Sequence, residues 1–321
     1  KNIIVYIACF GLFLLIFVGA TDNILYMVEN IFRGLGIALV TPFTSSGEID
    51  YPSLEKLIEY QLANGADFLC ILATTGETPC LSVEERVSIK QFVVEKVAGR
   101  VPILMGCGGN NTLALIEEIR NTNFSGIDGL LSVCPYYNKP SQEGLYRHFM
   151  KIAEESPLPV VLYNVPGRTG VNLKAETTVR LANDAANIVA IKEASGNLEQ
   201  VDQIIKNKPA GFDVLSGDDA LTFSMVASGA AGAISVIGNA LPKEVSRMIR
   251  LEFGGEYEPA RRIHHMFTEL YSLLFVDGNP AGVKALLSEM GFIENELRLP
   301  LVPTRITTMQ KMADILKKLK L

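Results

Sequence analysis

Eight short apolar runs separated by amphipathic stretches predict an α/β fold, a closed (β/α)8 TIM barrel, for most of this 321-residue chain. Runs that are apolar throughout are typical of parallel strands covered on both faces. The count of eight favours a closed barrel over an open doubly wound sheet. Purely helical patterns after the eighth run predict a small C-terminal helical domain.

The apolar runs alternate regularly with segments of helical period, such as 53–65 and 84–99. We assign the barrel to residues 31–254 and the helical domain to residues 255–321. The eight runs span residues 34–40, 67–72, 101–106, 127–133, 159–164, 187–192, 212–216 and 232–237.

Residues 3–20 form an uncharged apolar run that is long enough to cross a bilayer or to serve as a signal-peptide core. The chain does not begin with methionine, and Met27 precedes the first barrel run. We favour Met27 as the natural start, with residues 1–26 translated upstream sequence. We expect the apolar extension of residues 1–30 to lie outside the mature fold. A cleaved signal and a membrane anchor are the alternatives. We expect a cytoplasmic protein without a membrane partner.

Composition excludes other classes of function. The formal charge is −6, from 29 lysines and arginines against 35 aspartates and glutamates, and the basic residues are scattered. This pattern argues against a nucleic-acid partner. The five cysteines and three histidines show no metal-binding spacing, so we expect reduced thiols and no metal.

Lys192 ends the sixth run, where a barrel carries its working residues. A barrel interior disfavours the charged ammonium and therefore favours a neutral amine that can attack a ketone carbon. The alternative is an ordinary strand-end lysine paired with Glu193 at the surface.

Other run ends supply complementary groups. Tyr163 lies near the end of the fifth run, just before Asn164, and Arg168 in the next loop can bind a carboxylate through two hydrogen bonds. Thr74 and Thr75 follow the second run in a turn that we expect to open a helix and bind a small carboxylate. The fourth run is followed by Tyr136 and Tyr137. Each feature alone also fits ordinary packing or helix entry.

The segments TTGET at 74–78, CPYYNKPSQEGLYRHF at 134–149, LYNVPGRTG at 162–170, IKEASGN at 191–197, LSGDDA at 215–220 and LRLPLVP at 297–303 form a specific set. With them the sequence resembles the dihydrodipicolinate synthase and N-acetylneuraminate lyase family of class I aldolases, across residues 33–321. The resemblance implies a lyase without a cofactor that condenses pyruvate with L-aspartate 4-semialdehyde in lysine and diaminopimelate biosynthesis.

The resemblance also implies the roles of the catalytic residues. Lys192 would form a Schiff base with pyruvate, and Tyr163 would transfer protons. Thr74 would link Tyr163 to Tyr137 in a proton relay. In this family the tyrosine that corresponds to Tyr137 reaches the neighbouring subunit's site. The resemblance therefore implies a homo-oligomer, usually a dimer of dimers.

The resemblance also implies four substrate-binding residues. Thr75 would hold the pyruvate carboxylate, and the backbone at Ile234 and Gly217 would line the same pocket. Arg168 would bind the carboxylate of the semialdehyde.

A lysine-binding allosteric pocket of some family members is only partly present. Asn110 and Tyr136 match it, whereas Arg86 and Ala114 replace a histidine and a glutamate. We expect weak or absent feedback inhibition, because an anionic partner for a lysine ammonium is lost. The segment 277–284 also matches the family pattern only in part.

Two other functions stay open. One is a lyase for N-acetylneuraminate or a 2-keto-3-deoxy sugar acid, which shares the lysine and tyrosine chemistry; Arg168 and the tyrosine pair favour the smaller semialdehyde. The other is a non-catalytic barrel that binds a keto acid, which the full set of reactive residues disfavours.

Overall fold

The computed structural model describes residues 4–9, 12–17 and 31–319. Near the N-terminus, β1 (Ile4–Cys9) and β2 (Leu12–Phe17) pair antiparallel. No helix in the described ranges is both long and apolar enough to span a membrane. The proposed start at Met27 lies outside the described residues.

A closed barrel of eight parallel strands follows, in the order β10-β3-β4-β5-β6-β7-β8-β9. Each of the eight apolar runs contributes one strand, so the predicted fold class is confirmed. The strands are β3 (Gly34–Ala38), β4 (Phe68–Ile71), β5 (Ile103–Gly106), β6 (Gly129–Val133), β7 (Val160–Asn164), β8 (Ile188–Glu193), β9 (Asp213–Ser216) and β10 (Gly232–Ser235).

Helices surround the barrel and extend beyond it. The helices are α1 (Tyr51–Ala63), α2 (Val83–Val97), α3 (Thr112–Asn121), α4 (Gln142–Glu155), α5 (Pro166–Thr169), α6 (Ala175–Asp184), α7 (Leu198–Asn207), α8 (Thr222–Ala227), α9 (Pro242–Phe253), α10 (Tyr257–Met266), α11 (Thr268–Val276), α12 (Ala281–Glu289) and α13 (Ile306–Leu319). Short 3-10 turns occupy Thr74–Gly76, Thr78–Cys80 and Ile237–Asn239.

Polar side chains mark where several helices begin. Asp50, Ser82, Asn111, Ser141 and Asn197 each accept a hydrogen bond from a backbone N–H of the first helical turn. Such caps satisfy donors that have no partner inside the helix. The loops at the carboxyl ends of these strands therefore end at defined positions, where the capped helices begin.

The barrel closes where β10 meets β3, and this junction depends on glycine. Gly232 pairs with Gly34 in the parallel ladder and has a φ of +138°, which L side chains rarely adopt. A Cβ on Gly232 would overlap the backbone of Gly34. Only glycine allows the first and last strands to approach so closely.

The C-terminal helices α10 to α13 follow α9, as the purely helical pattern predicted. The helix α9 ends at Phe253 and α10 begins at Tyr257, on either side of the predicted domain boundary at residue 255. That boundary stays a prediction.

Glu252 on α9 carries an unusual buried carboxyl group. It is 3% exposed, and neither carboxylate oxygen has a hydrogen-bond partner among the described residues. Burial raises the pKa of Glu252 from 4.5 to about 8. Since the folded-state pKa lies above the ordinary value, the protonated form favours folding. The contribution of the protonated Glu252 carboxyl to the free energy of unfolding is complete below about pH 4.5 and is lost as the pH rises through 8.

We therefore expect Glu252→Gln to stabilise the protein at alkaline pH by roughly 2 to 5 kcal/mol and to change little at pH 4.5. Denaturant unfolding of both proteins from pH 4.5 to 9 measures the difference. Glu95→Gln, an exposed carboxylate change on α2, is the control and should show no such trend. A pH-independent difference for Glu252→Gln would contradict the assignment.

Candidate active site

Lys192 and Tyr163 lie one residue before the ends of neighbouring barrel strands and contact one another. Tyr163 on β7 is the register partner of Lys192 on β8. The Lys192 Nζ lies 4.5 Å from the centre of the Tyr163 ring. Both residues are buried, at 4% and 6% exposure. Because a buried lysine is rare, this placement favours a chemical role over a surface one.

The structure excludes the alternative in which Lys192 pairs with Glu193 at the surface. Glu193 is buried, and its carboxylate accepts hydrogen bonds from Asn164 Nδ2 at 3.0 Å, Gln200 Nε2 at 3.0 Å and the Ser195 N–H at 2.7 Å. Gln200 belongs to α7, which lies outside the barrel. Glu193 therefore points outward, as strand alternation requires when Lys192 points inward.

Asn164 and Glu193 hold the two strand ends together from outside the barrel. They are register partners, each directly after Tyr163 or Lys192. Asn164 Oδ1 also accepts a hydrogen bond of 2.9 Å from the Leu173 N–H, which fixes the chain after the Arg168 loop. Sequence reasoning considered Glu193 only as a surface partner of Lys192 and gave Asn164 no role. Alternation along β7 is the signal that could have placed Asn164 on the outer face, behind Tyr163.

Gly217 forms a wall beside Lys192. A Cβ built on Gly217 would lie 3.0 Å from Lys192 Cγ and Cε and 2.9 Å from Ala194 Cβ. These distances are tighter than ordinary contacts, so a side chain here would displace the lysine. The structure thus brings predicted residue Gly217 against predicted residue Lys192.

The Thr74–Gly76 turn follows β4, but it does not open a regular helix. A second 3-10 turn intervenes, and α2 begins only at Val83. The expected helix N-terminus at this turn is therefore wrong, because the chain folds back through two short turns first. Thr75 is buried, and its Oγ1 accepts a 3.1 Å hydrogen bond from Asn279 Nδ2.

A cavity of about 390 Å³ opens at the carboxyl ends of β4 to β7. Its wall includes Thr74, Tyr163 and Arg168, together with Arg86 and Glu118 from α2 and α3. This volume suits a small metabolite. The exposed guanidinium of Arg168 faces the cavity on the short helix α5, where it can bind a carboxylate.

Five of the predicted catalytic and substrate-binding residues are not part of this cavity wall: Thr75, Tyr137, Lys192, Gly217 and Ile234. Lys192 lies behind Tyr163, which is part of the wall. Tyr137 is 89% exposed and has a φ of +73°, and its N–H donates to the Thr169 carbonyl at 3.3 Å. Ile234 is 1% exposed and pairs with Gly36 in the β10–β3 ladder. A single chain therefore presents Tyr137 to its surroundings instead of to its own Tyr163.

The predicted allosteric residues Asn110 and Tyr136 are adjacent. Asn110 Nδ2 donates to the Tyr136 carbonyl at 3.1 Å. Nearby on the cavity wall, Arg86 and Glu118 form an ion pair of 3.5 Å. Sequence reasoning missed Glu118, which lies one helical turn after Ala114; the i, i+4 spacing on α3 is the signal that could have found it.

The cysteines of the barrel are poor nucleophiles. Burial raises the pKa of Cys70 to about 11 and that of Cys107 to about 12, so both remain protonated thiols near neutral pH. Within the described residues, no group of three or more histidine, cysteine, aspartate or glutamate side chains could hold a metal ion. Lys192 is the candidate nucleophile that the geometry favours.

The family resemblance is confirmed by comparison with known proteins. The model of the dihydrodipicolinate synthetase family matches residues 31–319. A 4-hydroxy-tetrahydrodipicolinate synthase of Phocaeicola vulgatus is 60% identical over 295 residues, covering 92% of this chain and 99% of that protein.

Solved structures agree with this match. A dihydrodipicolinate synthase from Thermotoga maritima aligns with a TM-score of 0.88 at 43% identity, covering 90% of this chain and 99% of that chain. A monomeric dihydrodipicolinate synthase variant aligns with a TM-score of 0.87 at 43% identity, covering 90% and 97%. The chain therefore belongs to the dihydrodipicolinate synthetase family.

Proposed function

We propose that this protein is a 4-hydroxy-tetrahydrodipicolinate synthase, a lyase that condenses pyruvate with L-aspartate 4-semialdehyde through a Schiff base on Lys192. The observation that carries the proposal is the buried Lys192 Nζ, 4.5 Å from the ring of Tyr163 at facing strand ends. Family membership supports the choice of reaction.

In the proposed reaction the neutral Lys192 amine attacks the keto carbon of pyruvate, and water leaves as the iminium forms. The iminium nitrogen then accepts the electron pair released when the methyl group loses a proton, which gives an enamine. The enamine carbon attacks the aldehyde of the second substrate. The substrate amine finally displaces Lys192 and closes the ring. Tyr163 moves the protons in these steps.

The two substrate carboxylates bind at separate places in this proposal. The Thr74–Gly76 turn, with the Thr75 hydroxyl, holds the pyruvate carboxylate beside Gly217 and Ile234. Arg168 binds the carboxylate of the semialdehyde at the cavity wall. A cation at this position favours the semialdehyde, which carries a carboxylate, over a polyhydroxylated aldehyde. A sugar-acid lyase, which shares the lysine and tyrosine chemistry, is therefore only the second candidate.

We further propose that a second copy of the chain completes the site. Tyr137 is 89% exposed, and Val83 and Leu113, in the first turns of α2 and α3, are 60% and 77% exposed. The same two helices contribute Arg86 and Glu118 to the cavity wall. Exposed large apolar side chains are typical of surfaces that another chain covers. The partner's Tyr137 would then join Thr74 and Tyr163 in the proton relay, in a dimer or a dimer of dimers. Cytoplasmic location is part of the proposal.

Borohydride trapping tests the covalent step. We expect sodium borohydride with pyruvate to leave one reduced adduct on Lys192, located by peptide mass spectrometry, because the iminium is reducible. Lys192→Ala should give none. Folded protein that binds pyruvate without an adduct would instead support the keto-acid-binding alternative.

Mixed oligomers test the role of Tyr137. Lys192→Ala and Tyr137→Ala proteins should each be nearly inactive in the condensation. Random co-assembly of the two should recover about a quarter of wild-type activity, because a mixed dimer forms one complete site. Co-assembled chains that remain as inactive as the separate variants would contradict a shared site.

Gly217→Ala tests the positioning of Lys192. The added methyl would push the lysine from its place against Tyr163, so we expect borohydride trapping at saturating pyruvate to slow by roughly tenfold to a hundredfold. Gly109→Ala is the matched control, since its Cβ would meet no atom within 4 Å. Equal trapping rates for both variants would show that Gly217 does not constrain Lys192.

A further inference from the structure

A fully buried ion pair joins the carboxylate-binding turn to the C-terminal helices. Glu77 Oε1 and Lys284 Nζ are 2.5 Å apart, and both side chains have 0% exposure. Lys284, on α12, also donates to the Glu296 carbonyl at 2.8 Å and lies 4.1 Å from the centre of the Phe43 ring. A buried charge pair is stable only when such additional contacts satisfy it.

Glu77 directly follows the Thr74–Gly76 turn and closes it. Its N–H donates to the Thr74 carbonyl at 3.1 Å, and its φ of +53° lies in the left-handed region. Glycine would adopt this conformation without strain, so a glutamate here indicates that its side chain is needed. The second carboxylate oxygen accepts a 3.1 Å hydrogen bond from the Arg298 N–H.

The same C-terminal segment contacts the turn at other points. Asn279 donates to the Thr75 hydroxyl at 3.1 Å. The Arg298 guanidinium binds the Glu85 carboxylate at 2.6 and 2.7 Å and the Cys80 carbonyl at 3.0 Å, beyond the turn. Residues 279–298 therefore hold the turn and the chain after it from one side.

We propose that Glu77 and Lys284 are positioning residues, whose buried ion pair holds the Thr74–Gly76 turn and thereby determines the affinity for the pyruvate carboxylate. Helix α12 is then part of the substrate-binding apparatus. The pair acts in two ways: it orients the turn, and Lys284 neutralises a carboxylate that would otherwise repel the bound anion. The inference rests on the proposed function, since it presumes that pyruvate binds at this turn.

The test compares Glu77→Gln, Lys284→Met and the double variant in the full-length chain. The measurement is the pyruvate concentration that half-saturates borohydride trapping on Lys192, together with KM and kcat for the condensation. The double variant leaves no unpaired buried charge, so it is the one we expect to fold best. If Lys284→Met fails to fold, the other two carry the same test.

We expect half-saturating pyruvate and KM for pyruvate to rise roughly tenfold or more in the double variant, with kcat within about twofold of wild type. Because the pair is proposed to act through the turn and not on the reacting atoms, chemistry on bound pyruvate should proceed. Lys284→Met should also raise half-saturating pyruvate, because Glu77 then loses the partner through which α12 holds the turn.

Met312→Ala is the control for a merely structural effect. Met312 is fully buried on α13, which packs on α12, so its loss should lower the melting temperature without changing half-saturating pyruvate. Folded Glu77 and Lys284 variants with wild-type half-saturation would overturn the inference. So would a fall in kcat at unchanged KM. An absence of any adduct in wild-type protein would instead refute the proposed function itself.

Discussion

The site depends on the parallel register between β7 and β8. That ladder places Tyr163 opposite Lys192 inside the barrel and Asn164 opposite Glu193 outside it. A shift of one residue would exchange the two faces and bring a carboxylate and an amide into the interior. The outer hydrogen bonds among Asn164, Glu193 and Gln200 oppose such a shift, so the support of the site and its chemistry occupy opposite faces of the same strands.

Burial has opposite consequences for the ionisable groups of this protein. Glu193 and Lys284 are buried with hydrogen-bond or ion-pair partners, so their contacts hold neighbouring segments in place. Glu252 is buried without a hydrogen-bond partner in the described chain, and its raised pKa reflects that cost. Burial also raises the pKa of Cys70 and Cys107 and keeps both as neutral thiols, so the amine of Lys192 is the candidate nucleophile.

The cavity is bounded by two kinds of surface. Its inner part is formed by strand ends, where Tyr163 and Thr74 are held by the barrel. Near Tyr136, Arg86 and Glu118, the surface is open and adjoins exposed Tyr137. In our proposal a second chain covers this open side. One chain then supplies the nucleophile Lys192, and the partner's Tyr137 completes the proton relay.

Much of the fold could be predicted from local pattern. Each apolar run became one strand, because a strand buried on both faces must be apolar along its length. Lys192, Tyr163 and Arg168 could be identified as candidates because polar residues at the carboxyl ends of such runs converge at one mouth. The turn at Thr74 was expected to open a helix, and it does not, because two 3-10 turns are locally as plausible as helix entry.

The sequence by itself therefore determined the eight strands, the residues that end them and the family to which the chain belongs. Only the tertiary structure decided that Lys192 contacts Tyr163, that Gly217 bounds the lysine, and that Glu77 pairs with Lys284. The physical reason is the distance along the sequence over which each interaction acts. Strand formation follows from the burial pattern of neighbouring residues, whereas an ion pair between distant residues exists only after the barrel closes and the C-terminal helices pack against it.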